Sequence, residues 1–564
     1  MKTTIMKRTF GHIRWISGSC VFALALSSIL AFTSQQTRAA NGFWNVDAAG
    51  SWATAGDPPW LGSVVPGSTG TTNSTDIATF GFTLTAQRIV TVDVNRNIGG
   101  MTFSNTSANR YVFNGGALLI SNGGFIQNTA TDGAHQTGLN LGVVIEGDGG
   151  AATFTNNSLT ASNQLSFGGT VSGVSTAGHT TILTLNGSNS GNYTNFTFNQ
   201  FASAVGDGGL GGKLAIVKDG AATWLFKGAG STFTGGVTLN AGTLAFGSNT
   251  NAFGINGTLT INGGTLMSNG ATANTTSTIA NPISVGADFT TSQINTSASG
   301  YAHVTYSGNM SLTGGNRTIT VGTMGTYSGA ENILDFSGVI SNGGLTKAGA
   351  GNLTLGGNNT YNGATTVFAG TLILSGTGSI NSSSVLTVAS GATLTNNNAT
   401  AVTCGSLALT MGATLSGSGG GFTPTALTLT ADIAGGSQTL ITLNTTLNGS
   451  GRLTMDLTTI TAGTYLLTAG SGSFASTFGQ LTVNSYVFAG LTGTDGLFNY
   501  TYDNTGKALT IGAVPEPSAL ALLALVAITI LLFRRRKSSK AQFIQSDFKL
   551  SPSAIPVVFY ERNE

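Results

Sequence analysis

Apolar and polar residues alternate in short runs along most of this chain, as in Leu353-Thr354-Leu355, Leu407-Ala408-Leu409 and Leu427-Thr428-Leu429. A period of two sends successive side chains to opposite faces, which predicts strands with one buried side. The Gly, Asn and Ser between the runs predict turns. No window of useful length between residues 41 and 513 has the helical period, so this body is expected to be all-β. With 83 glycines and only 9 prolines, composition alone would also suit a disordered linker. The alternation argues against that.

The turns recur on a beat. Gly370-Thr371-Leu372, Gly391-Ala392-Thr393-Leu394 and Gly412-Ala413-Thr414-Leu415 start 21 residues apart, and Gly242 and Gly264 open the same motif 22 apart. A period near twenty with several strand-length pieces predicts a parallel β-helix, a solenoid of about 21-residue coils. Each coil leaves backbone edges that only the next coil satisfies, so the fold grows by stacking. If all of 41–513 coiled at that period, the rod would be on the order of 100 Å long at the inter-strand spacing.

Two longer segments correspond. Residues 218–244 and 347–372 each run from a lysine (Lys218, Lys347) through a glycine-rich corner, a strand, a Gly/Asn corner and an aromatic residue (Phe233, Tyr361) to a strand ending at Gly-Thr-Leu. The pattern resembles the autotransporter-associated β-strand repeat, a reading the weaker beat extends over 232–429, and the solenoid region is expected to span 125–513. Ahead of it, 40–124 reads as an opening module with Trp44, Trp52 and Trp60 at eight-residue spacing. Such indoles could stack on sugar rings, or they could cap the open end of the solenoid core.

Both ends of the chain differ from the body. Residues 518–533 are apolar or small and lead into Arg534, Arg535, Arg536 and Lys537, which predicts a transmembrane helix with a basic cytoplasmic stop. Its sixteen residues reach roughly 24 Å, slightly less than a hydrocarbon core. Pro515 and Pro517 hold the preceding backbone extended. With Glu516 between them, 514–537 resembles the C-terminal sorting signal of PEP-CTERM proteins. That resemblance implies recognition by an exosortase, a membrane-embedded protease, at Pro515, Glu516 and Pro517. Residues 538–564 form an atypical cytoplasmic tail for such a signal. At the other end, Lys2, Lys7, Arg8 and Arg14 precede an apolar stretch over 16–32 and Thr37-Arg38-Ala39. This is the layout of a signal peptide, 1–39, read by Sec-type export machinery and signal peptidase. The chain is thus expected to be exported, held transiently at the inner membrane, and passed to the cell envelope, surface or medium.

Charge and chemistry narrow the function. Between residues 41 and 513 there are 10 Lys plus Arg and 16 Asp plus Glu. No basic patch remains for nucleic acid. Cys404 is the single cysteine of the body, which excludes an intrachain disulfide framework there; it reads as a buried small side chain. His135 and His179 have no companion ligands at metal-site spacing, and no cofactor is expected. Glu146 and Asp148 suggest either an acid pair or weak cation site, or solvated turn carboxylates. Polysaccharide lyases use parallel β-helices, but their chemistry needs carboxylates clustered with Arg or Lys, and the basic residues here are scattered. The leading expectation is a non-enzymatic surface or extracellular-matrix protein that is structural or adhesive, touching exopolysaccharide or envelope glycans. The alternative is a polysaccharide-degrading β-helix enzyme, a lyase or hydrolase.

Overall fold

In a computed structural model, the described residues are 40–53, 59–70, 74–131, 136–193, 197–228, 230–247, 251–270, 275–295, 302–322, 334–380, 385–434, 438–514 and 519–538. The expected signal peptide (1–39), Pro515, Glu516, Pro517, His135 and the tail 539–564 lie outside them.

Among the described residues, every ladder between two strands of Gly42 to Val483 is parallel, and these strands pair with strands of adjacent coils. One face runs the length of the molecule as nineteen strands from Gly50–Ser51 to Tyr486–Val487, the last of them antiparallel. The other eighteen, spaced about 4.8 Å, make a rod of about 80 Å. This is shorter than the length expected from a uniform 21-residue coil, because many coils are longer. Thr243 pairs Thr265 and Thr365 pairs Leu386, steps of 22 and 21 residues, whereas Ser166 pairs Gln200, a step of 34. Most of the extra described residues fall between strands, while two ladders shift register, between Ile98 and Gly100 and between Gly451 and Arg452.

Two further faces share the rod between them. A 15-stranded sheet covers the N-terminal part, from Gly42–Trp44 to Ile340–Ser341. A 12-stranded sheet begins at Thr275–Ile279 and covers the C-terminal part. In the middle a single coil carries strands of all three faces. The interior is a stack of aligned, buried aliphatic rungs such as Leu353, Leu372, Leu394 and Leu415. Burying one such side chain contributes about 1.5–3 kcal/mol, and each rung shields the ones above and below it.

Residues 40–124 are the first coils of the same stack, since their strands pair continuously with those that follow. The C-terminal end departs from the expected solenoid. Strands Thr492–Thr494, Phe498–Asp503 and Ala508–Ala513 turn antiparallel and fold back on Gly463–Ala469. Tyr500, Tyr502, Leu509 and Ile511 are buried beneath this meander, so the last edge is covered rather than left as a template for another chain.

Candidate functional site

The repeat corners show what the correspondence between 218–244 and 347–372 is for. Lys218 and Lys347 are both fully buried. The Lys218 Nζ donates to the carbonyls of Asp219 (2.9 Å), Gly220 (2.8 Å) and Ala241 (2.9 Å). The Lys347 Nζ donates to Gly349 (2.6 Å) and Ala369 (2.7 Å). Each ammonium thus ties its own corner to the corner of the next coil, satisfying carbonyls that no strand could reach. Burial pushes both lysines down to about 8, while the ring of carbonyls favours the charged form.

The glycine of each Gly-Thr-Leu is part of the same device. Gly242 and Gly370 have φ of 68° and 65°. A Cβ there would lie 2.6 Å from the lysine Nζ in both corners. Phe233 and Tyr361 are buried in the other corner of each coil, after Thr223–Phe226 and Asn352–Leu355 respectively, and the Tyr361 hydroxyl pairs with that of Thr365 at 2.7 Å. The sequence pattern exposed the lysine and glycine as matched positions; their contact across coils needed the register. The two repeats also sit on different faces. Thr223–Phe226 lies on the face that runs the full length, whereas its counterpart Asn352–Leu355 lies on the C-terminal sheet. Longer coils between them carry the motif round by one face.

The three indoles do not present a sugar platform. Trp44, Trp52 and Trp60 are each 0% exposed. Their ring centroids lie 5.2 Å (Trp44–Trp60) and 5.1 Å (Trp52–Trp60) apart, and Phe80 lies within 5.8 Å of all three. The Trp52 Nε1 donates to Pro66 O (3.0 Å) and the Trp60 Nε1 to Trp52 O (2.9 Å). Burial removes every ring face from solvent, so sugar stacking on these residues is overturned; they close the N-terminal end of the core.

The carboxylates Glu146 and Asp148 are drawn apart. The Asn97 side chain from an earlier coil donates to Glu146, and burial raises that carboxyl. Asp148 instead accepts from the backbone and hydroxyl of Thr176 in the next coil, both at 2.8 Å, which hold its carboxyl low, and it also meets His179 Nδ1 at 2.9 Å. Other acids act as staples in the same way. Asp207 takes the amides of Leu214 and Thr234, and Asp76 those of Ala40 and Gly67. His303, a histidine that spacing arguments pass over, neighbours Asp335, whose carboxyl burial raises. Among the described residues no three His, Cys, Asp or Glu side chains gather into a metal site. Cys404 is buried and its thiol is pushed up to about 12. Two shallow clefts, of about 230 and 260 Å³, are lined by Ser, Thr, Asn, Gly and apolar residues, with no ionisable side chain in either.

Beyond the rod, Ala519–Ser538 forms the one long helix among the described residues. Among its described side chains, Leu523, Ile528, Leu531 and Phe533 are more than half exposed, and Arg534 at its basic end is exposed. Thr529 hides its hydroxyl by donating to Leu525 O and Val526 O. The apolar part, 519–533, is about 22 Å long against a core of about 30 Å. Among the described residues, no helix is long and apolar enough to cross a membrane. Of the transmembrane segment expected over 518–533, residues 519–533 are helical and not shown as a span, and Ser518 lies outside the described residues.

Against known families, residues 216–246 and 345–374 match the passenger-associated-transport-repeat. Both matches contain a lysine corner whole. No curated protein and no solved structure gives a match. Residues 513–537 match the PEP-CTERM protein-sorting motif, so this strand-rich repeat protein carries a signal for processing by exosortase-type machinery and for export to the cell envelope or surface.

Proposed function

We propose that the protein is a non-enzymatic rod displayed at the cell surface or in the extracellular matrix, where it spaces and adheres. The observation that carries this is the sorting motif at 513–537, attached to a stack closed at both ends. The chemistry of the rod supports the same role. Lys218, Lys347 and Asp207 are spent on corners, and among the described residues neither of the two clefts is lined by an acid, base or cation. Cleavage of glycosidic bonds needs two carboxyl groups facing one substrate, and lyase chemistry needs a cation beside the developing anion.

During export the helix Ala519–Ser538 holds the chain at the inner membrane, with Arg534, Arg535, Arg536 and Lys537 on the cytoplasmic side. Long basic side chains reach the headgroups and compensate for its short apolar part. Signal peptidase acts at the leader, and an exosortase-type protease acts near Pro515.

Fractionating the producing cells and determining the mature C-terminus by intact mass tests the delivery. A terminus near Pro515, found in the outer envelope or medium, is expected. A chain ending at Glu564 in the inner membrane would sink it. The non-enzymatic part is tested by incubating the exported protein with neutral and acidic polysaccharides, with and without calcium. New reducing ends or unsaturated products would overturn it, whereas intact polymer and measurable retention on the producer's exopolysaccharide are expected.

A further inference from the structure

Between Lys347 and Asp432 the sequence contains no charged residue. In the fold this stretch is consecutive coils, and on the full-length face it lines up Thr346, Thr366, Thr387, Ala408 and Thr428 rung upon rung. The neighbours of each threonine along the strand are buried: Leu345 and Lys347, Thr365 and Val367, Leu386 and Val388, Leu427 and Leu429. Alternation therefore turns these threonines outward. Among the described residues, no protein group bonds the hydroxyls of Thr346, Thr366, Thr387 or Thr428. The result is a straight strip of about four steps of 4.8 Å, uncharged, with one free hydroxyl on four of its five rungs.

One residue breaks its smoothness. Phe368 is 62% exposed and lies one residue past the strand Thr365–Val367, at the corner that follows it. Its amide donates to Lys347 O (2.8 Å), so the lysine corner fixes its backbone. At the equivalent position the first repeat has Asn240, whose side chain donates to Asp219 (2.8 Å). Repeat geometry therefore does not ask for an aromatic here.

We infer that this strip is a docking surface for a neutral, extended glycan chain, with Phe368 stacking on a sugar ring and the threonine column hydrogen-bonding along the polymer. It rests on the adhesive reading above and gives that reading a place and a ligand class. The chemistry selects the occupant. An anionic polymer would meet no cation here, and a protein partner would find no cluster of Trp, Tyr and Arg anchors. A lipid surface would require basic residues or a broad apolar face. Sugar hydroxyls and threonine hydroxyls each both donate and accept. A repeating ligand on repeating rungs gains by avidity from contacts that are weak singly.

The test uses the exported protein, with Phe368→Asn restoring the residue type of the first repeat and Tyr486→Asn, a half-exposed aromatic at the far end, as control. Retention is measured on insoluble cellulose and chitin and on an alginate matrix, alongside thermal melting and sedimentation. Wild type and Tyr486→Asn are expected to be retained on a neutral glycan, and Phe368→Asn to bind at least tenfold more weakly with unchanged melting. Equal retention of Phe368→Asn, or retention on alginate alone, overturns the strip and leaves the adhesive role standing. A change in self-association of Phe368→Asn with no change in glycan retention assigns Phe368 to a second copy and overturns it too. Wild type retained on none of the three matrices overturns the strip and removes glycan binding from the adhesive role.

Discussion

At the scale of single residues, the rod depends on buried cations. A lysine normally titrates near 10.4 when unfolded, whereas burial lowers Lys218 and Lys347 to about 8 in the fold. Below pH 8 both states hold the proton and stability does not depend on pH through these groups. Between about 8 and 10.4 the unfolded chain binds more protons than the native one, so stability rises with pH. Denaturation of wild type and Lys347→Met at pH 7 and pH 9.5 should show the wild type gaining on the variant by about 1–2 kcal/mol. A difference that stays flat across that window would mean the carbonyls hold the ammonium as firmly as water does. The glycine across the corner offers an independent check. Gly370→Ala combines a positive φ with a Cβ 2.6 Å from Lys347 Nζ, whereas Gly391 has φ 72° and nothing within 4 Å. Gly391→Ala is expected to cost about 1 kcal/mol from backbone strain alone, and Gly370→Ala about 2 kcal/mol or more because the corner must also shift. Equal losses in chemical denaturation would deny the lysine any steric claim on that glycine.

At the scale of strands and coils, the alternation of Leu and Thr was enough to specify strands and their buried faces. Leu394 in Thr393–Asn396 is buried and Thr395 is half-buried, as the pattern requires. The coil length was legible only where corners are short. Between Thr365 and Thr428 the register advances by 20 or 21 residues per coil, and there the Gly-Thr-Leu beat is plain. Around Phe167 the loops lengthen each coil, so the strands keep register in space but lose it along the sequence. The direction of the tryptophans was illegible because eight-residue spacing does not encode their packing against one another and Phe80. Leu394→Ala should cost about 2–5 kcal/mol, because neighbouring rungs cannot collapse into the gap without breaking ladders on both sides. Thr395→Ala should stay within about 0.5 kcal/mol, although it loses a hydroxyl pair with Ser416 at 2.7 Å. Urea denaturation of the two variants decides whether the interior stack, rather than the outer hydroxyls, holds these coils.

At the scale of the whole molecule, a stack has neighbours in one dimension only, and its two ends are protected by different means. The N-terminal end is plugged by Trp44, Trp52, Trp60 and Phe80, and the C-terminal end is covered by an antiparallel meander. Stability in such an array is approximately a sum over coils and their interfaces, so damage to one end should stay near that end. Trp60→Ala removes a large buried ring and strips contacts from Trp44 and Trp52, a loss of about 3–5 kcal/mol at the site. Amide hydrogen exchange should then rise across the strands from Gly42–Trp44 to Tyr111–Gly115, while the coils carrying Lys347 keep their protection. Uniform loss of protection to the far end would mean the rod unfolds as one cooperative unit. That result would matter for delivery as well. A stack that opens coil by coil can be threaded out from one end and refolded outside, with the meander closing it just before the sorting motif at 513–537. A single cooperative unit would instead have to stay wholly unfolded until its last strand, Ala508–Ala513, had been exported.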